Sequence, residues 1–294
     1  MVATIRLAVI GGSGFYEMPG LTDVREIRPD TPFGPPSDAI RVGRISGEDV
    51  AFLARHGPGH RLLPSELPQQ ANVWALKSIG VERILSVSAV GSLREAYRPL
   101  DLVVPDQLID RTHGQRPATF FGKGVIAHIA MADPFCPSLR LLVVEAADAT
   151  DANVHDGGTY TVVEGPAFGT RAESHLYRSW GASVVGMTAL PEAKLAREAE
   201  ICYTTLASVT DYDSWHESED AVTAETVFTV LKHNVEVSQE VVRRLVARLA
   251  ESDPGQCDCT TSLDAALVTA PAAIPAAAAE RLAPILTRVL GAGE

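Results

Sequence analysis

Two aspartates separated by one residue, Asp211 and Asp213 in Thr210-Asp211-Tyr212-Asp213, follow an apolar run that extends from Tyr203 through Val209. Carboxylates at that spacing past a strand end can address one edge of a ligand. A buried carboxyl beside a second one also retains its proton more readily, which suits general acid catalysis. A helix cap or a solvated turn would account for the same residues. Phe168, in Glu164-Gly165-Pro166-Ala167-Phe168-Gly169, is either a flat surface for a planar ligand or part of the core.

Three further segments offer donors to an anion. Gly11-Gly12-Ser13-Gly14 follows an apolar strand pattern, so its backbone N–H groups could approach a charged oxygen. A dinucleotide fingerprint fails there, because its last glycine would fall on Glu17, and no P-loop lysine follows. Arg55-His56-Gly57-Pro58-Gly59-His60 brings a planar fork of donors and two imidazoles. Its glycines and proline break the helix that would aim both histidines at one metal. Ser88-Ala89-Val90-Gly91-Ser92 adds hydroxyls and amides at a third strand end.

The four cysteines do not make a disulfide scaffold in a chain of this length. Cys136 and Cys202 read as core. Cys257 and Cys259 form a Cys-Asp-Cys pair after Pro254-Gly255, open to a strained redox pair, a bridge or half a metal site. No second such pair completes a zinc set, and no metal ligands are expected.

The elements that must hold these residues follow from periodicity. Short apolar runs at 7–10, 50–53, 84–87, 102–104, 160–163, 183–185 and 203–209, bounded by Gly, Pro and Asp, suit buried strands. Three- and four-residue apolar spacing predicts helices over 69–79, 137–149, 172–180 and 191–200, and over 222–251 with a break at Asn234. A polar loop over 252–261 precedes an Ala-rich helical segment. The alternation predicts an α/β sandwich with helices on both faces of a mainly parallel or mixed sheet. With 294 residues and 46% hydrophobic content the chain fills a core, and no linker divides it. A net charge of −12 argues against nucleic acid and anionic membranes as partners. The N-terminal residues show no export signal and no segment reads as a membrane span, so a soluble cytoplasmic protein is expected.

Taken in order, the segments resemble the methylthioadenosine phosphorylase branch of the trimeric purine nucleoside phosphorylases from about residue 6 to residue 250. Besides the runs quoted, these are Thr31-Pro32-Phe33-Gly34-Pro35-Pro36-Ser37, Gln70-Ala71-Asn72-Val73-Trp74-Ala75-Leu76-Lys77, Gly91-Ser92-Leu93-Arg94, Asp110-Arg111-Thr112 and Thr170-Arg171-Ala172-Glu173-Ser174. The resemblance implies a single α/β domain over 1–294, variable from about 252, around a mixed, partly barrel-like sheet. It also implies a homotrimer or a dimer of trimers, with inorganic phosphate as co-substrate and no other cofactor. The family's phosphate positions match Ser13, Arg55, His56, Ser88, Ala89 and Thr188. Its purine and ribose positions match Phe168, Gly169, Met187, Asp211 and Asp213. Its 5′-pocket positions match His60, supplied by a neighbouring subunit, and Ala224, Val227 and Phe228. Some thermophilic members carry a stabilising Cys-x-Cys near the C-terminus; a surface thiol pair is favoured for Cys257 and Cys259.

The implied reaction is phosphate-dependent cleavage of 5′-methylthioadenosine, or a related 5′-deoxy-5′-substituted adenosine, to adenine and the 5-substituted ribose 1-phosphate. Asp211, protonated or sharing a proton, would meet N7 and Asp213 would accept from the 6-amino group, whereas an amide at 211 would suit 6-oxopurines. Gly169 replaces the usual Ser, Ala167 the common Arg and Phe228 a smaller residue, so 5′-halogenated adenosines and 6-oxopurine nucleosides are the alternative substrates. A noncatalytic nucleoside-binding protein would not need the phosphate donors, and a nucleoside hydrolase would use water instead.

Overall fold

The computed structural model describes residues 5–216, 224–251 and 257–291, without the side chains of Ser13, 224–229 and 231. Among the described residues eleven strands form one mixed sheet. At its centre β1 (Leu7–Gly11) is buried at every position and runs parallel to both β4 (Glu48–Ala54) and β5 (Arg83–Ser92). A strand covered on both faces requires a continuous apolar run, which is why this one is legible in the sequence. Its alternate residues enter different cores. Ala8 and Ile10 join Val73, Leu76, Leu195 and Leu286, while Leu7 and Val9 join Leu139, Val143, Val241, Leu245 and Leu249. The first core lies under α1 (Gln69–Ser78), α4 (Ala189–Glu198) and α7 (Ala283–Leu290), the second under α2 (Pro137–Asp148) and α5 (Ala224–Glu251). The expected helices on both faces are present, and removing a Leu from either core would cost about 2–5 kcal/mol.

Beyond β4, β3 (Ile40–Ile45) and β2 (Thr22–Ile27) continue antiparallel to the edge. β2 has five exposed residues in six, including Asp23, Arg25 and Glu26. A solvated, charged edge strand carries no apolar run, so it escapes a search for one.

On the other side the sheet forks at β5. One edge of β5 pairs with β1 at Ile84–Ser86 and then with β10 (Val184–Gly186) at Gly91 and Ser92. Its opposite edge pairs along its length with β11 (Cys202–Asp211), whose ten residues are all buried. The β10 branch leads through β9 (Thr159–Val163) to β7 (Gln107–Arg111), and the β11 branch through β6 (Leu102–Val104) to β8 (Val154–Asp156).

Two local expectations change. α5 runs unbroken past Asn234, whose buried amide donates to the Val209 carbonyl at 3.1 Å and locks the helix onto β11. Of the expected 252–261 loop, 252–256 lie outside the described residues, and the remainder is no simple surface loop, because Cys259 is buried in a 3-10 turn spanning Asp258–Thr261. α3 (Arg171–Ser179) and α6 (Ala276–Arg281) complete the helices among the described residues. None of these is long and apolar enough to cross a membrane.

Candidate active site

The fork places two branches against the end of β5. In the antiparallel β5–β10 pair Val184 faces Ser92 and Val185 faces Gly91, so the same register carried onward sets Thr188 opposite Ser88. The Ser88 Oγ and Thr188 Oγ1 atoms lie 2.9 Å apart, both in buried residues, forming a paired hydroxyl group at the start of α4. Ala89 follows Ser88 and is exposed.

On the other edge, parallel pairing of β5 and β11 keeps step to Val209↔Val90, then slips by one residue so that Asp211 faces Gly91. Thr210 is the extra residue, and its hydroxyl donates to Asp211 Oδ2 at 2.7 Å, with Val90 O 3.2 Å away. Such a bulge re-aims the side chain that follows it. Gly91 leaves room beneath, because a Cβ there would lie 3.0 Å from both Asp211 Oδ1 and Asp213 Cβ and the pair would have to give by a few tenths of an ångström.

Asp211 Oδ1 accepts from the Asp213 N–H at 2.8 Å, closing the two carboxylates into one buried unit. Asp213 sits at φ +39, a left-handed conformation that Asp tolerates better than most residues. The turn is pinned on both sides. Trp215 Nε1 donates to Ser92 O at 2.7 Å, and Ser214 Oγ donates to Gly169 O at 2.8 Å. Burial raises the Asp213 carboxyl above its ordinary pKa, and the Asp211 charge adds to the shift. The raised Asp213 carboxyl, joined to Asp211 through its own N–H, makes the pair a place to retain a proton.

Arg55 differs from expectation in its aim. Its guanidinium is buried and turned inward. Nε donates to Glu192 Oε1 at 2.5 Å, Nη2 to Ser86 Oγ at 2.7 Å, and Nη1 to Val87 O at 3.0 Å. Glu192 also accepts from Ser86 Oγ and Tyr203 OH, each at 3.0 Å. Burial lowers the Arg55 guanidinium's pKa, and the Glu192 carboxylate more than offsets it. The pair braces β4, β5, β11 and α4 under the hydroxyl pair, rather than presenting the fork to solvent. His56 Nδ1 lies 2.8 Å from Leu62 O, which fixes the proton on Nδ1, and burial lowers the imidazole to about 4. His60 is exposed, at φ +53, and stacks on His56 with ring centroids 4.2 Å apart.

Opposite this cradle, the buried Arg116 fastens two turns together. It donates to Glu164 Oε1 and Glu164 O at 2.6 Å, to Met187 O at 2.7 Å and to Leu190 O at 2.8 Å. Met187 Sδ then lies 2.5 Å from where a Cβ on Gly165 would stand, so only glycine, at φ +69, fits the turn. Phe168 is 46% exposed, an open aromatic face just before α3. That helix begins with a capping box, in which Thr170 Oγ1 accepts from Glu173 N and Glu173 Oε2 from Thr170 N.

The structure therefore gathers Ser88, Thr188, Met187, Gly169, Asp211 and Asp213 at the fork, with Arg55 and His56 at the end of β4. The side chains of Ser13, Ala224, Val227 and Phe228 lie outside the described residues. Sequence reasoning missed Glu192, Ser86, Tyr203 and Arg116; only their burial marks them, and nothing local in the sequence does. It also misread the cysteines. Cys136 and Cys202 are not merely core, nor are Cys257 and Cys259 a separate surface pair, because the four thiols converge within 4.8 Å of one another.

Comparison with known proteins agrees with this geometry. The sequence profile of the phosphorylase superfamily matches residues 6–247. An S-methyl-5′-thioadenosine phosphorylase of Gloeobacter violaceus is 55% identical over 96% of this chain and 95% of its own. One from Chloroflexus aurantiacus is 57% identical over 96% and 97%. Among solved structures, a methylthioadenosine phosphorylase from an antarctic soil metagenomic library superposes with a TM-score of 0.92 at 50% identity, covering 97% of this chain and 100% of that one. The methylthioadenosine phosphorylase of Schistosoma mansoni, in complex with adenine, gives 0.82 at 34% identity over 90% and 99%.

Proposed function

The chain belongs to the phosphorylase superfamily, and from that premise we propose that it cleaves 5′-methylthioadenosine with inorganic phosphate, releasing adenine and 5-methylthioribose 1-phosphate. The observation that carries the proposal is the pairing of two unlike groups across β5: a hydroxyl pair, Ser88 and Thr188, on one edge and a buried carboxyl pair, Asp211 and Asp213, on the other.

The chemistry divides accordingly. The C1′–N9 bond breaks as a phosphate oxygen bonds to C1′, so ribose passes through a cationic state while the purine gains electrons. Ser88, Thr188, Ser13 and the Ala89 amide hold the phosphate at C1′, and His56 closes its outer side. With its Nδ1 proton committed to Leu62 O, the neutral imidazole meets phosphate through Nε2 and accepts a hydrogen bond from a protonated phosphate oxygen there. Arg55 acts from behind, its charge fixed by Glu192. The aspartate pair holds one proton, delivered to N7 of the departing adenine, and the other carboxylate accepts from the 6-amino group. Phe168 covers the ring, and Met187 lies under the ribose.

The 5′ substituent meets Ala224, Val227, Phe228 and His60 of a neighbouring subunit in a cytoplasmic homotrimer. Gly169 favours a second reading, in which 6-oxopurines are also admitted, because a Cβ there meets nothing closer than Glu173 at 3.9 Å. The test is base release from methylthio-, chloro-, fluoro- and unmodified adenosine and from inosine, with and without phosphate. Phosphate-dependent adenine release, fastest with the methylthio compound, is expected. Release in phosphate-free buffer, or a preference for unmodified adenosine, would overturn the proposal.

A further inference from the structure

At the opposite end of β11 from the aspartates, about 30 Å of strand away, the four cysteines meet. Cys136 is the N-cap of α2, Cys202 opens β11, and Cys257 and Cys259 come from the C-terminal 3-10 turn. The Sγ atoms of Cys257 and Cys202 are 3.1 Å apart and those of Cys257 and Cys136 3.6 Å, with all four inside 4.8 Å. We propose that these residues form a structural zinc site.

Geometry points to a metal. Four sulfurs on a tetrahedron with Zn–S bonds of about 2.3 Å stand about 3.8 Å from one another, within the range observed. Cys257 approaches two thiols at once, and all four cysteines are free. The donors are soft and of one kind, which selects zinc over hard cations. Cys136, Cys202 and Cys259 are buried, so no open coordination position faces solvent and the site is structural, not catalytic. The charge left on sulfur has partners as well. The Leu139 N–H lies 3.5 Å from Cys136 Sγ, and the positive end of the twelve-residue α2 points at the cluster.

Binding forms four Zn–S bonds and releases four thiol protons, with no change in oxidation state. Its effect is mechanical. The metal ties the Asp258–Thr261 turn to the start of β11 and to α2, closing the second core.

The protein is reduced, incubated with zinc and freed of excess by gel filtration, and its metal content and thiol count are then measured. About one zinc per chain should be retained, and titration with a mercurial thiol reagent should release it. Cobalt in place of zinc should give the absorption of a tetrahedral tetrathiolate site. Cys259→Ser should lose the zinc and lower Tm by several degrees, with kcat/KM for methylthioadenosine at 25 °C within about threefold of the parent. Because the metal content of the unaltered chain is measured first, a variant that fails to fold leaves the test intact. Reduced protein that retains no zinc, whether as four free thiols or as a chain isolated with Cys136–Cys202 and Cys257–Cys259 bridges, would overturn the site.

Discussion

Gly91 and Asp211 face one another across β5 and β11, and the Asp211 Oδ1 atom stands 3.0 Å from where a Cβ on Gly91 would project. The glycine is thus part of the carboxylate pocket, although it bears no functional group. Gly91→Ala should displace the aspartate pair by a few tenths of an ångström and lower kcat/KM for the nucleoside by about threefold to tenfold, short of the roughly hundredfold loss that a misplacement of about 1 Å costs in a positioned site. Steady-state kinetics beside a melting curve checks this. A loss of folding without a selective loss of turnover would show that Gly91 serves only the sheet.

The raised Asp213 carboxyl gives the pH profile a sign. Its proton is present below its folded pKa and lost above it, so kcat/KM should fall as pH rises through that value. Asp213→Asn should remove this alkaline limb and reduce adenine release by about 10²–10⁴-fold. Asp211→Asn should depress adenosine-type turnover far more than inosine turnover. Equal losses on both bases would reject base recognition by the pair.

Arg55 and Glu192 are buried together, so breaking the pair strands a charge. Glu192→Gln should destabilise by roughly 3–5 kcal/mol, a fall in Tm of about 10 °C, and should raise KM for phosphate more than KM for nucleoside. Calorimetry and two-substrate kinetics read the two effects separately.

Glu198 is buried, accepts from Thr119 Oγ1 and the Phe120 N–H at 2.6 Å each, and is pushed up to about 7 by that burial. A carboxyl raised on folding favours the native state most fully below its unfolded pKa, and the contribution is lost as pH rises through the folded value. Stability should therefore decline between about pH 4.5 and about 7. Glu198→Gln should flatten that slope, whatever its effect on absolute Tm. A slope that survives the substitution would place its origin elsewhere.

Gly169→Ser has room for its side chain and a negative φ, so it should fold without penalty. A hydroxyl beside the base should sharpen the preference for adenine over hypoxanthine by about tenfold, the worth of one hydrogen bond of about 1–1.5 kcal/mol. Identical selectivity in the two forms would remove Gly169 from the base pocket.

The strands of the sheet centre were legible because they are buried on both faces, and four helices were placed to within two or three residues by their apolar spacing. What escaped was non-local or polar. β2 is a charged edge, and Glu192 and Arg116 act on partners dozens of residues away. Ser88 and Thr188 were found through the family pattern, but their contact follows only from the antiparallel register that leaves β5 at Gly91. The aim of Arg55 could not be read at all, since the same Arg-His-Gly run suits a guanidinium turned outward or inward. The cysteines failed for a similar reason. Spacing along the chain showed one pair, while the fold supplies the other two from a helix cap and a strand start.

The extra residue at Thr210 separates two tasks that a regular strand would confound. Up to Val209 the chain keeps a two-residue rhythm that serves burial; after the added beat it serves a ligand. Anyone reshaping base preference here therefore has a coordinate besides residue identity, namely chain length. Deleting one residue at position 210 would restore the ladder, turn both carboxylates away and silence the pocket without replacing a single side chain that lines it.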